Sequence, residues 1–156
     1  GAVFSKMDVG NGYRGYDLWI QGSGIGTHFI NQWPSNAIKV VSKGGLVKDK
    51  WQHVVVTYDG SMKAAGVAIY IDGESAEGAV EADTLTGTTH TDTAFRLAAR
   101  STGGNWAGEV DDIRLYERAL SADEVGLAQQ PIKDFLLASA ADQRTELQTS
   151  ILRSEY

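Results

Sequence analysis

The chain of 156 residues contains no cysteine. That excludes disulfides, thiolate catalysis, iron–sulfur ligation and thioether-linked haem, and leaves the compartment open. Proline is scarce too, with two residues. No apolar run approaches the roughly 20 residues of a membrane span, and no signal-peptide pattern is visible, so no membrane insertion is expected. Positive charge is in deficit: 14 Lys and Arg stand against 20 Asp and Glu, a formal net charge of −6. Such a balance argues against nucleic acid, whose affinity rests on cations meeting phosphates. No internal repeat or low-complexity tract is present. His28, His53 and His90 are far apart, with neither metal-ligand spacing nor a Ser/His/Asp arrangement. Gly22-Ser23-Gly24-Ile25-Gly26 lies between strands rather than before a helix, so it is no phosphate cradle.

What is abundant is glycine, with eighteen residues set between short apolar runs. Tight turns between strands are implied. The organising stretch is WQHVVVTYDGSMKAAGVAIYIDGE, residues 51–74. Its first part is β-branched and aromatic, which suits a pleated strand. Val54, Val55 and Val56 are consecutive, so apolar groups point to both faces. The expectation is a strand inside a sheet, covered on both sides, with His53 a hydrogen-bonded core histidine. Residues 67–71 alternate as a second strand, with Val67, Ile69 and Ile71 on one face. Asp72-Gly73 is a two-residue hairpin signal leading to a third, weaker strand over 74–80. Before this centre, strands are expected over 2–7, 16–21, 25–31 and 37–42; after it, over 95–99 and 106–116. In the last, the apolar parity changes between Val110 and Ile113, which reads as a bulge at Asp111-Asp112 or as a strand passing from one cover to another. Several short strands at near-regular spacing suggest a sandwich or jelly roll.

The register then changes to helical. Ser121 followed by Glu124 fits a capping box, predicting a helix from Ala122 to about Gln129. Further helices are expected after Pro131 and over 141–155. The expectation is an all-β, two-sheet antiparallel jelly roll over 1–127, with a helical linker to a following domain over 128–156. The opening Gly1-Ala2-Val3-Phe4 already reads as strand, which suggests a piece of a longer protein.

Three segments together carry a family resemblance: residues 51–60, residues 67–73, and GEVDDIRLY at 108–116 with Arg118-Ala119-Leu120-Ser121. They resemble the concanavalin A-like lectin/glucanase superfamily in its laminin-G-like jelly-roll branch, over about residues 2–127. Residues 5–8 and 14–18, with the helical tail, resemble a subgroup embedded in large multidomain bacterial proteins that carry cytochrome-c-like segments elsewhere. No Cys-x-x-Cys-His motif is present, so no haem function transfers. The resemblance implies a two-sheet sandwich that often binds glycans and sometimes calcium. It also implies one or two N-terminal strands, pairing near Asp111, that are missing before Val3. An open edge, homodimer pairing or disorder near the N-terminus is the expected consequence.

Superfamily hydrolases place two carboxylates on one strand, and glycoside hydrolysis usually needs such a pair. Here Glu109 and Asp111 share a face, but Ile113 or Arg114 stands where the second Glu is needed. The expectation is therefore not an enzyme. In the laminin-G-like pattern the residue matching Asp111 can ligate calcium, although its partners come from the missing strands. The structural alternative has Asp111 and Asp112 capping a bulge or pairing with Arg114 or Arg118. Aromatics stack on sugar rings. Trp33, beside Pro34, and the adjacent Tyr13 and Arg14 are loop residues and the expected ligand contacts. Trp19, Trp51, Trp106 and Tyr70 are expected to pack in the core or on a sheet face. The function expected is non-catalytic binding, with carbohydrate the first ligand and neighbouring domains of the parent chain the alternative partners. An extracellular or periplasmic setting follows.

Overall fold

A computed structural model describes residues 1–129 together with Leu137 and Arg144. The described strands form two antiparallel sheets. Strands β1 (Ala2–Asp8), β2 (Arg14–Gln21), β3 (Gly24–Gln32) and β4 (Asn36–Gly45) run as a meander. Strands β5 (Val54–Tyr58), β6 (Val67–Ile71) and β7 (Glu74–Ala76) form the second sheet in that order. The chain then returns to the first sheet as β8 (Gly78–Asp83) beside β4, and β9 (Arg96–Leu97) closes the far edge beside β1. The larger sheet has the order β8-β4-β3-β2-β1-β9.

The hairpin between β6 and β7 forms at Asp72-Gly73, where φ is +51° and +81°. Consecutive positive φ values match the right-handed twist of the flanking strands. The segment expected as one strand over 74–80 is divided between the sheets. β7 pairs with β6 and β8 with β4, so the chain crosses at Glu77.

The core lies between the sheets. Leu18, Ile25, Ile38 and Val40 of the large sheet meet Ile69 and Ile71 of the small one. Val54 and Val56 face this core, while Val55 faces away and packs with Tyr70 beneath a helix, α1 (Ala122–Ala128). The valine triplet is therefore apolar on both faces for the reason its sequence suggests. It is not an inner strand, however: β5 is an edge of the three-stranded sheet and its valines are half-buried.

Residues 106–116, expected as the last strand, are not a strand. No described strand runs alongside them, and a ladder needs a partner to satisfy its N–H and C=O groups. Trp51 also lies outside the strand and is 64% exposed. Trp106 is half-buried in the irregular segment, its N–H donating to Ala98 O. The N-terminal stretch is ordered: Ala2 is fully buried, and the Gly1 amino group donates to Ile20 O.

Helix α1 starts as its capping box dictates. The Glu124 N–H donates to Ser121 Oγ, and the Ser121 N–H donates to Glu124 Oε2. Arg118 grips the same carboxylate with both terminal nitrogens. That guanidinium, helped by the Ser121 backbone, holds the Glu124 carboxyl at about 2, against an ordinary 4.5. A carboxyl depressed on folding contributes stability above its unfolded pKa and loses it as pH falls through the folded one. Ser121→Ala is expected to cost about 1 kcal/mol. Glu124→Gln should remove part of the stability lost between pH 4.5 and 2, read from urea midpoints across that range. The helices expected after Pro131 and over 141–155 lie outside the described residues.

Candidate functional site

The outer face of the large sheet, turned away from the core, carries a row of polar side chains. Ser5 lies opposite Asp17, Asp17 opposite His28, and His28 opposite Lys39. Strand alternation places all four on one face. The row follows from the β2–β3 turn. Once Gly22-Ser23 sets Gln21 against Gly24, counting back along both strands puts Asp17 against His28. That register was available in the sequence; the distance between histidines hid it.

Asp17 is only 1% exposed and His28 is 6% exposed. His28 Nδ1 lies 2.7 Å from Asp17 Oδ1. The carboxylate oxygen accepts, so the imidazole donates through Nδ1. Arg100 Nε and Nη2 donate to Asp17 Oδ2 at 2.8 and 2.6 Å. A buried carboxylate is thus paired and hydrogen-bonded on both oxygens, which such a charge requires.

Arg100 arrives from a loop tied to β1. Ala98 N–H donates to Val3 O, Ala2 N–H to Gly104 O, and Ser5 Oγ to Ala99 O. Its guanidinium lies 4.1 Å from the Trp19 ring centre and 5.7 Å from that of Tyr13. Gly104, at φ +64°, lets the loop close over Arg100 and Trp19: a Cβ there would come within 3.3 Å of both side chains.

These groups line a pocket of about 290 Å³ with Tyr13, Trp19, Gln21, His28, Ile30, Trp33, Lys39 and Arg100. Two of the expected ligand contacts, Trp33 and Tyr13, are therefore brought together. The Trp33 N–H donates to Gly12 O, which ties the two loops, and the Trp33 ring meets the His28 ring edge-on at 5.6 Å. Arg14 is not among the lining residues; its Nε donates to Asn31 O. Trp19 is a sheet-face residue as expected, and this face is the pocket floor. Lys39 Nζ bonds Gln21 Oε1 at 2.8 Å and Glu81 Oε2 at 2.6 Å. The Lys39 ammonium, through its hydrogen bond and its charge, and to a lesser degree the Gln21 amide hold the Glu81 carboxyl below its ordinary range.

Asp111 lies elsewhere. It is exposed, and its Oδ1 accepts from the Asp112 N–H. Asp112 pairs with Arg114, and Arg118 with Glu124. Among the described residues no three His, Asp or Glu side chains group as a metal site. Glu109 and Asp111 border a second, larger cavity of about 1230 Å³, between the open flank of β5 and the inner face of the large sheet. His53 borders it too, half-buried rather than set in the core, with a buried Nδ1 that has no protein partner among the described residues. Burial, then the nearby Arg114, lowers its pKa.

A family model described as Concanavalin A-like lectin/glucanases superfamily matches residues 1–126, more than half of the chain. The chain belongs to that superfamily. The two antiparallel sheets, of six and three strands, are the sandwich expected of the superfamily. Similarity extends to the crystal structure of an S-layer domain-containing protein from Clostridium thermocellum, at 23% identity and a TM-score of 0.35. That match covers 82% of this chain and 62% of the other. Among curated proteins none matches. No described helix is long and apolar enough to cross a membrane.

Proposed function

We propose that this superfamily domain is a non-catalytic binding module whose ligand is a carbohydrate, held in the pocket on the outer face of the large sheet. The observation that supports this most is the convergence of Trp33, Tyr13 and Trp19 around one small concavity with polar groups in its wall. Aromatic faces take the C–H faces of sugar rings, and the polar tips take hydroxyls. A volume of about 290 Å³ sits at the lower end of small-ligand pockets, which run roughly 300–1,000 Å³. It suits a short saccharide unit better than a long chain.

The module reading is also supported by the position of Glu109 and Asp111, which lie away from this pocket on the irregular segment. Calcium at Asp111 would find no group of three acidic or His side chains among the described residues and would need carbonyl or water oxygens, or ligands from beyond them. An extracytoplasmic setting goes with the glycan reading, as does placement within a larger multidomain chain.

A second reading, a spacer domain without a glycan, is favoured by the open flank. The larger cavity is bordered by Trp51, Val110 and Ile113, all exposed. An uncovered strand edge beside apolar surface is a template for pairing. In that reading a second copy of this chain pairs along β5. The rim carries charge of both signs, Lys48, Asp49 and Lys50 in one segment and Glu109, Asp111, Asp112 and Arg114 in the other, so the net charges of the two segments are opposite.

One experiment separates the two. On a glycan array the purified domain should give hits, and Trp33→Ala should weaken them at least tenfold while leaving the melting midpoint within a few degrees. Silence across the array, with a mass that doubles at higher concentration, would replace the glycan reading with the second.

A further inference from the structure

We infer that the pocket selects saccharides bearing a carboxylate, uronic acids, over their neutral counterparts. This rests on the carbohydrate reading above. The chain as a whole is acidic, with a formal net charge of −6. The pocket inverts that sign. Its eight lining residues include Lys39, Arg100 and His28, and no Asp or Glu.

The two carboxylates nearest the wall offer a ligand little. Asp17 is buried behind the wall, with Oδ1 facing His28 and Oδ2 facing Arg100. Glu81 has Oε1 taken by Gln21 and Oε2 by Lys39. The amide of Gln21 is likewise committed at both ends, to Glu81 and Lys39. The wall's strong acceptors are therefore spent inside the protein.

Its donors are not. Arg100 has five N–H groups in a planar fork, and only its Nε and Nη2 bond Asp17. Among the described residues Nη1 has no protein partner, so the terminal end of the guanidinium keeps a pair of parallel N–H groups, one on Nη1 and one on Nη2. That pair matches a carboxylate's two oxygens. The Lys39 ammonium has three N–H groups, and its protein acceptors are the oxygens of Gln21 and Glu81. Among the described residues the indole N–H groups of Trp19 and Trp33 find no hydrogen-bond acceptor.

A neutral sugar presents hydroxyls, each of which donates as well as accepts. Its donors would find few acceptors here. A uronate brings two anionic acceptors to a wall with surplus donors, while its ring can still lie against Trp33. Asp17 contributes without touching the ligand: it fixes Arg100 over Trp19, so the cation is held in place before binding. That prior ordering lowers the entropic cost of association.

The test compares oligogalacturonate and oligomannuronate with their methyl esters, which keep the ring and remove the charge, by titration calorimetry at 20 mM and 300 mM NaCl. At least one acid form should bind tenfold or more tighter than its ester at low salt, and the gap should narrow at high salt. Lys39→Gln and Arg100→Lys should each close the gap. Arg100→Lys keeps a cation beside Asp17 but loses the fork. Should that variant fail to fold, Lys39→Gln, at the pocket's far side, still decides. Equal affinity for acid and ester overturns the inference and leaves the carbohydrate reading standing. So does binding of neutral glycans alone. An acid preference untouched by Lys39→Gln and by Trp33→Ala overturns it too, because the anion would then bind elsewhere. No binding to any glycan overturns both readings.

Discussion

Replacing Asp17 with Ala should destabilise the domain by about 3–5 kcal/mol, the usual cost of removing one partner from a buried ion pair. The size follows from what is left behind. Arg100 loses both of its side-chain hydrogen bonds to Asp17, and the His28 Nδ1–H loses its acceptor. Asp17 is 1% exposed, so water cannot readily replace either interaction. The Arg100 loop is also freed from its anchor, and with it the pocket's best donor. Equilibrium unfolding in urea measures the loss. A cost under about 1 kcal/mol, the value typical of exposed pairs, would mean the cluster is solvated and the pocket wall not pre-set. A double-mutant cycle with Arg100→Met measures the coupling between the two residues, because the double variant subtracts what each loses on its own.

The second large effect is expected at Gly15. This residue sits in β2 with φ at +132°, paired with Met7 and Ile30, both fully buried or nearly so. A Cβ there would lie 2.0 Å from Lys6 O and 2.8 Å from Met7 Cα. These are backbone atoms of the neighbouring strand, which cannot swing aside as a side-chain tip can. Gly15→Ala must therefore push β1 from β2 or hold a strained φ. Strained backbone and overpacking each cost roughly 1–3 kcal/mol, so a loss on the order of 3 kcal/mol is expected. Gly22→Ala provides the control: φ is +62°, but no atom lies within 4 Å of its added Cβ. It should cost only the left-handed conformational penalty, about 1 kcal/mol. Equal losses at the two positions would show that the Gly15 contact is relieved at no cost, contrary to the geometry.

Local chemistry was the legible part of this fold. Asp72-Gly73 and the Ser121/Glu124 box announce a turn and a helix start because the groups that build them are neighbours in sequence. The valine triplet announced two apolar faces, and it has them. It could not announce its place in the sheet, because sheet order depends on which strand lies beside it, and that is a non-local fact. The same limit explains residues 106–116, whose apolar alternation promised a strand but which has no partner among the described residues.

The site was half legible. Trp33 and Tyr13 stood out as loop aromatics, and the structure joins them through a Gly12 carbonyl. Arg14 stood out for its position beside Tyr13, yet its side chain turns to Asn31. Arg100 was passed over because nothing near it in sequence marks it. Its meaning comes from Asp17, 83 positions away.

That separation makes the indole of Trp19 a gauge. Strands β2, β3 and β4 are joined by short connections and close small loops, so they can assemble early. The cation that lies over Trp19 comes only when residues 98–106 dock along β1. Light emitted from that ring would therefore report whether the distant closing segment is in place, separately from whether the meander has formed. A shortened chain ending before residue 96 would keep the aromatic floor and lose the arginine that gives it a sign.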